Sequence, residues 1–154
     1  MRVLHVHAKG GYQGGVEQIM RDTAAGLAQR GWPQGLLALH GDIDSAFASV
    51  FAASGTSLDV LDSFRPDVLL VHKVEDADTV ATLAARVPSV RMVHDHDLAC
   101  PRRHKYFPLS KRICDKPAGI ACYSHLCCVQ RAPEESLLPI RIVGTSAVRR
   151  GLKA

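Results

Sequence analysis

The sequence contains no apolar run approaching the roughly eighteen residues that a membrane span needs. No secretory leader is expected either, since Val3 to Ala8 is a short apolar stretch interrupted by His5 and His7. We therefore expect no transmembrane segment and a cytoplasmic location, with the five cysteines reduced. Net charge is small. A formal +4 suits a phosphorylated or anionic ligand but is too little to argue for nucleic acid as a partner. The dinucleotide fingerprint G-x-G-x-x-G does not occur, and the second apolar segment ends Leu39-His40-Gly41-Asp42 without a clean ribose-binding acid at its tip. Zinc sites usually show C-x₂₋₄-C pairs, and here the cysteines are spaced more widely, with Cys122-x₄-Cys127 the only near match.

What the chain does have is a strand, a glycine loop and a helix in its first thirty residues. Arg2 to Ala8 reads as a strand entering a buried sheet. Gly10-Gly11-Tyr12-Gln13-Gly14-Gly15 cannot extend it, because four glycines in six positions favour turns. From Val16 the period becomes helical, with Val16, Ile19, Met20, Thr23, Ala24 and Leu27 on one face, and Gly31 and Pro33 stop it. Bare backbone at a helix start leaves N–H groups that can receive an anion. A tight βα turn that binds nothing has the same sequence appearance.

Further buried strands are expected at Gly35–His40, Val68–His72 and Val90–His94, with a short edge strand at Ser57–Leu61 and another at Pro139–Val143. Helices are expected from Ile43 to Phe51, with Asp42 as N-cap, and from Glu75-Asp76 to Pro88. Alternating strands and helices of this kind predict a doubly wound, mostly parallel, Rossmann-like α/β sheet. At 154 residues the chain makes about one domain, 1–154. Ligands in such sheets sit beyond the carboxyl ends of the strands. Three strands here end in histidine: His40, His72 and His94.

Residues 98–131 break the pattern and are expected to form a long Cys-rich loop holding all five cysteines and the basic residues Arg102, Arg103, Lys105, Lys111 and Arg112. Thirteen residues separate Cys100 from Cys114, seven separate Cys114 from Cys122, and four separate Cys122 from Cys127. Those four thiols are the candidate ligands of a structural zinc; separate reduced thiols are the alternative. After Val90–Val93, His94-Asp95-His96-Asp97 is the densest cluster of reactive side chains, and it suits polar recognition of a hydroxylated ligand better than a metal pair.

Three stretches in this order resemble the amino-terminal domain of glycosyltransferase family 4, which has the GT-B fold. They are the first strand with Gly14-Gly15-Val16-Glu17 matching a G-G-x-E loop, His94-Asp95 followed by Leu98-Ala99-Cys100-Pro101, and the last strand leading into Thr145-Ser146. The likeness runs from Met1 to about Gly151. It implies the acceptor-side half of a retaining enzyme that moves a sugar from a nucleotide-sugar donor to an acceptor hydroxyl, with no cofactor required for catalysis. It also implies that His94 faces the transferring sugar and that Gly14, Gly15 and Glu17 line the cleft, with Asp95, His72 and Ser146 as further binding residues. In that family a carboxyl-terminal domain holds most of the donor. No such domain is expected within this chain, so activity would need a second domain or chain. The alternative function is a non-enzymatic module that holds a phosphate-bearing partner on the basic Cys-rich loop, with or without zinc.

Overall fold

The computed structural model describes residues 1–96, 100, 104–107, 109–131 and 140–142. These fall into two compact units, Met1–His94 and Asp95–Ala154.

In the first unit, strands and helices alternate: β1 (Val3–Gly10), α1 (Gly15–Gln29), β2 (Gln34–Ile43), α2 (Ser45–Ala48), β3 (Ala53–Gly55), α3 (Asp59–Phe64), β4 (Val68–Val71), α4 (Ala77–Arg86) and β5 (Ser89–Arg91). The five strands form one sheet in the order β3-β2-β1-β4-β5, and every pairing is parallel. The expected Rossmann-like α/β class is therefore what the chain adopts. The order reverses direction between β1 and β4. That boundary is the switch point at which open α/β sheets form a crevice.

Period-two alternation sends successive side chains to opposite faces of the sheet. Leu4 and Val6 of β1, Leu37 of β2 and Leu69 and Val71 of β4 pack with Val60, Leu61 and Phe64 of α3 and Leu83 of α4. On the other face Leu36 packs with Met20 and Ala24 of α1 and with Phe47 and Phe51. His5 lies on that second face. It is fully buried, and its ring meets Phe51 edge-on at 5.5 Å between centroids.

Two local expectations are corrected. Ser57–Leu61 is not a strand: the edge strand is Ala53–Gly55, and Asp59–Phe64 forms α3. A short apolar run fits either period, and here Val60, Leu61 and Phe64 bury together on one helical face. The N-cap after β2 is Asp44, whose carboxylate accepts from the Phe47 backbone N–H at 2.7 Å, and not Asp42. β2 continues to Ile43 through a break in register, Lys9 facing His40 but Gly10 facing Ile43, which leaves Gly41 and Asp42 bulged out. Gly41 adopts a positive φ of 72°, and the expected helix to Phe51 shrinks to Ser45–Ala48.

The described part of the second unit has a β-bridge between Tyr106 and Ile113, a four-residue helix α5 (Ala121–Ser124), and an antiparallel pair, β6 (Val129–Arg131) with β7 (Ile140–Ile142). The last expected strand therefore forms, but it joins this small sheet and lies outside the parallel one. Among the described residues no helix is long and apolar enough to cross a membrane.

Candidate functional site

A file of buried histidines runs from within β1, which carries His5 and His7, to His72 directly after β4. His5 and His72 are fully buried, and His7 is nearly so. The Nδ1 atom of His5 lies 3.0 Å from Nε2 of His72, and Nδ1 of His72 lies 2.9 Å from Nε2 of His94. The rings of His5 and His72 stack at 5.2 Å between centroids, as do those of His72 and His94. At the inner end His5 Nε2 is 2.9 Å from Gln34 Oε1, and the Gln34 amide N–H donates to the Trp32 carbonyl at 2.6 Å. Five residues thus form one continuous hydrogen-bonded chain: Trp32 just before β2 and Gln34 at its start, His5 within β1, His72 directly after β4, and His94 three residues beyond β5, so the strand expected to end at His94 stops at Arg91.

Burial in an apolar face disfavours the imidazolium form. It holds the pKa of His72 down to about 3, with the neighbouring His5, His94 and His7 rings acting in the same direction. Burial also lowers that of His5, against the opposing effect of its bond to Gln34. Both rings are therefore neutral at physiological pH and serve as hydrogen-bonding groups.

A second branch comes from the glycine loop. Glu17, in the first turn of α1, is buried, and its carboxylate lies 3.6 Å from His7 Nε2. His7 Nδ1 is 2.9 Å from the Lys9 carbonyl oxygen, and the His7 ring meets His72 edge-on at 6.4 Å. The G-G-x-E glutamate thus turns inward onto the histidine file. Gly14 and Gly15 sit at the start of α1. A Cβ on Gly15 would meet nothing within 4 Å, and one on Gly14 would only graze the Glu17 carboxylate at 3.9 Å. Neither glycine is required by packing, so the space over the helix start is open.

Beside this loop lies a cavity of ≈ 290 Å³ at the carboxyl ends of β1 and β2, lined by residues that include Lys9, Tyr12, His40, Asp42 and Asp44. Tyr12 is held edge-on against Phe47 at 5.1 Å, with the Arg21 guanidinium 5.8 Å from its ring centre. His40, the third strand-end histidine, is exposed and belongs to this cavity.

The structure thus joins Glu17, His72 and His94 within the first unit. Asp95, half-buried, begins the second unit. Ser146, Asp97, Arg102 and Arg103 lie outside the described residues. Reading the sequence for residues at the carboxyl ends of strands missed His5 and His7, which lie within β1, and Gln34, which begins β2. The signal was present: His5 and His7 are two residues apart in a strand that is otherwise apolar, and buried polar groups need partners.

In the second unit Cys100, Cys127 and Cys128 are buried, while Cys114 and Cys122 are half-buried. Cys100, Cys127 and Cys128 are the only buried residues among those of this unit whose burial is described; Leu109, Ile113 and Ile120 are all exposed. The backbone N–H groups of Cys127 and Cys128 both donate to the Cys122 carbonyl, so the turn after α5 brings these three together. Burial pushes the Cys128 thiol pKa up, with Cys122, Cys127 and Cys100 adding to the effect. Cys114 stands apart from that group, with its thiol directed at the Lys116 carbonyl. Among the described residues no three His, Cys, Asp or Glu side chains are grouped to hold a metal ion. Of the basic residues, Lys105 is tied down by a bond from its ammonium to the Lys116 carbonyl at 2.6 Å, while Lys111 and Arg112 are exposed.

Comparison with protein-family models, curated proteins and solved structures yields no match to this chain.

Proposed function

We propose that this chain is the acceptor-side half of a retaining glycosyltransferase, moving a sugar from a nucleotide-sugar to an acceptor hydroxyl with the help of a second, donor-holding domain. The reading is supported above all by one observation: the loop glutamate and the strand-end histidine meet the same buried file at the switch point of the sheet, Glu17 through His7 and His94 through His72. In the sequence these two residues are 77 positions apart (94 − 17). They belong to two of the three stretches on which the family resemblance rests.

Sugar transfer needs what this arrangement can supply. Charge grows on the departing diphosphate, and open backbone N–H groups at the start of α1 can stabilise it electrostatically. An imidazole fixed in position can orient a hydroxyl of the sugar or the acceptor, which contributes through proximity. The reaction needs no metal from this half. In this reading the acceptor takes the cavity beside Tyr12.

The test combines the chain with a candidate donor-holding domain and screens nucleotide-sugars against hydroxylated acceptors, reading release of nucleoside diphosphate. His94→Ala is expected to lower kcat by about 10²-fold, the order of loss when a reacting group is misplaced, with the far-UV CD spectrum unchanged. An unchanged kcat together with an unchanged KM rejects the assignment.

A further inference from the structure

The cavity beside the glycine loop is shaped by two backbone features. β1 and β2 close on each other at Gly10, where a Cβ would lie 2.8 Å from Ile43 Cγ1. Between Lys9 and Gly10 the register breaks, and Gly41 and Asp42 bulge out of β2, with Gly41 at a positive φ of 72°. Bulges gather beside functional sites, where they re-aim a side chain. Here the bulge sets Asp42 in the cavity wall with His40.

The polar groups of that wall are available to a ligand. Among the described residues, the Lys9 ammonium, the Gln13 amide, the His40 ring and the Asp42 carboxylate bond to nothing else. Asp44 uses one carboxylate oxygen on the Phe47 N–H, and Tyr12, 48 % exposed, adds an aromatic ring held against Phe47. The charge balance is the reverse of the chain's own. The whole sequence carries a formal +4, but the cavity is lined by one ammonium and two carboxylates. A phosphate therefore meets more repulsion than attraction here. Alcohols both donate and accept, so a ring of hydroxyls can bond the carboxylates and the Lys9 ammonium together. The volume of ≈ 290 Å³ is close to the lower limit for small-molecule sites, roughly 300 Å³, and leaves room for one ring.

We propose that this cavity takes a hydroxylated ring of monosaccharide size that carries no acidic group, and that Asp42 is the specificity-determining residue that turns the phosphorylated form away. Ring hydroxyls donate to Asp42 and Asp44 and accept from Lys9 and Gln13, while the apolar C–H surface of the ring lies against Tyr12. That this ring is the sugar acceptor rests on the transferase reading above; the preference for an uncharged ring does not.

The test is a ¹H–¹⁵N NMR titration of the whole chain at low ionic strength, following the amides of Gly11, Gln13, Gly41 and Asp42. The probes are glucose, galactose and mannose, each with its 6-phosphate. At least one free hexose is expected to shift these amides saturably, and its 6-phosphate to bind about tenfold more weakly, the order of an unscreened charge repulsion close to the surface. In Asp42→Asn that disadvantage should shrink to about threefold or less. Tighter binding of the 6-phosphates, or no saturable shift with any of the three hexoses, overturns the proposal. So does an Asp42→Asn protein that keeps the full disadvantage. The wild-type comparison decides the matter even where the variant fails to fold. Hexose binding at these amides in a protein that transfers no sugar would remove the transferase reading and leave the cavity's ligand standing. Sugar transfer without any such shift would do the opposite.

Discussion

Mild acid should destabilise this protein well before its carboxylates titrate, and His72 sets the size of the effect. In the fold its pKa is held at about 3, whereas an unfolded chain protonates it near its ordinary value of 6.5. Between those two values the unfolded state binds a proton that the native state refuses, so stability rises with pH across the window and falls as acid is added. Each pH unit inside it is worth about 1.4 kcal/mol per group. Lowering the pH to about 5 therefore removes roughly 2 kcal/mol through His72 alone, about 1.5 units below 6.5. His5, also depressed by burial, adds to the loss with the same sign. Against a typical domain stability of about 5–15 kcal/mol this is a large fraction.

The assay is urea unfolding followed by far-UV CD at several values between about pH 7 and pH 5, a range above the ordinary titration of Asp and Glu. The wild type should lose stability steadily across it. His72→Phe, which cannot take up the proton, should show a slope smaller by about 1.4 kcal/mol per pH unit. A wild-type stability that is flat in this range, or an equal slope in the variant, would refute the claim that a neutral, buried His72 forms the middle of the file.

Two further outcomes follow from the fold. In Gly10→Ala the new Cβ would lie 2.8 Å from Ile43 Cγ1 and 3.1 Å from the Ile43 Cα, so the register break between β1 and β2 would have to shift. The expected loss is about 1–3 kcal/mol, the usual cost of overpacking, measured by the same denaturant titration; Gly15→Ala, with open space around it, serves as the control and should lose nothing comparable. For the thiols, iodoacetamide labelling with peptide mapping should modify the half-exposed Cys114 well before Cys128, because Cys128 is buried and its raised pKa suppresses the reactive thiolate. Equal rates at the two positions would contradict that burial.

Much of the first unit was legible because its signals are local. Glycines at 10 and 11 mark where β1 must end, the change of period at Val16 marks α1, and the apolar runs at Leu36 and Leu69 mark strands covered on both faces. Failures came where local signals are degenerate. Leu58 to Leu61 satisfies both a strand and a helix, and only the packing of Phe64 against the sheet decides between them. The site was half legible for a related reason. His72 directly follows β4, as expected, whereas the strand expected to end at His94 stops at Arg91; the groups that hold these rings lie elsewhere, His5 within β1 and Gln34 at the start of β2. Gln34 follows Pro33 at the start of β2 and looks like an ordinary loop polar residue. Its role depends on Trp32 turning a carbonyl toward it and on β1 lying beside β2 in register, with Val3 opposite Gln34. Neither relation can be read along the chain.

The direction of the file also bears on why so much buried polar surface sits in a face that α1 would otherwise cover with apolar side chains. Replacing a satisfied buried polar set by apolar residues of similar shape is often neutral or stabilising, so His5, His72 and Gln34 are poorly explained as stabilisers. Every N–H in the file points the same way, from His94 toward the Trp32 carbonyl. Aligned bonds in a low-dielectric interior polarise one another. Each ring that donates inward becomes a better acceptor on its other nitrogen, and the effect accumulates toward the outer end. A lone surface histidine would have two tautomers and free rotation at its site. His94 Nε2 instead meets His72, whose own partners run back through His5 and Gln34 to the Trp32 carbonyl.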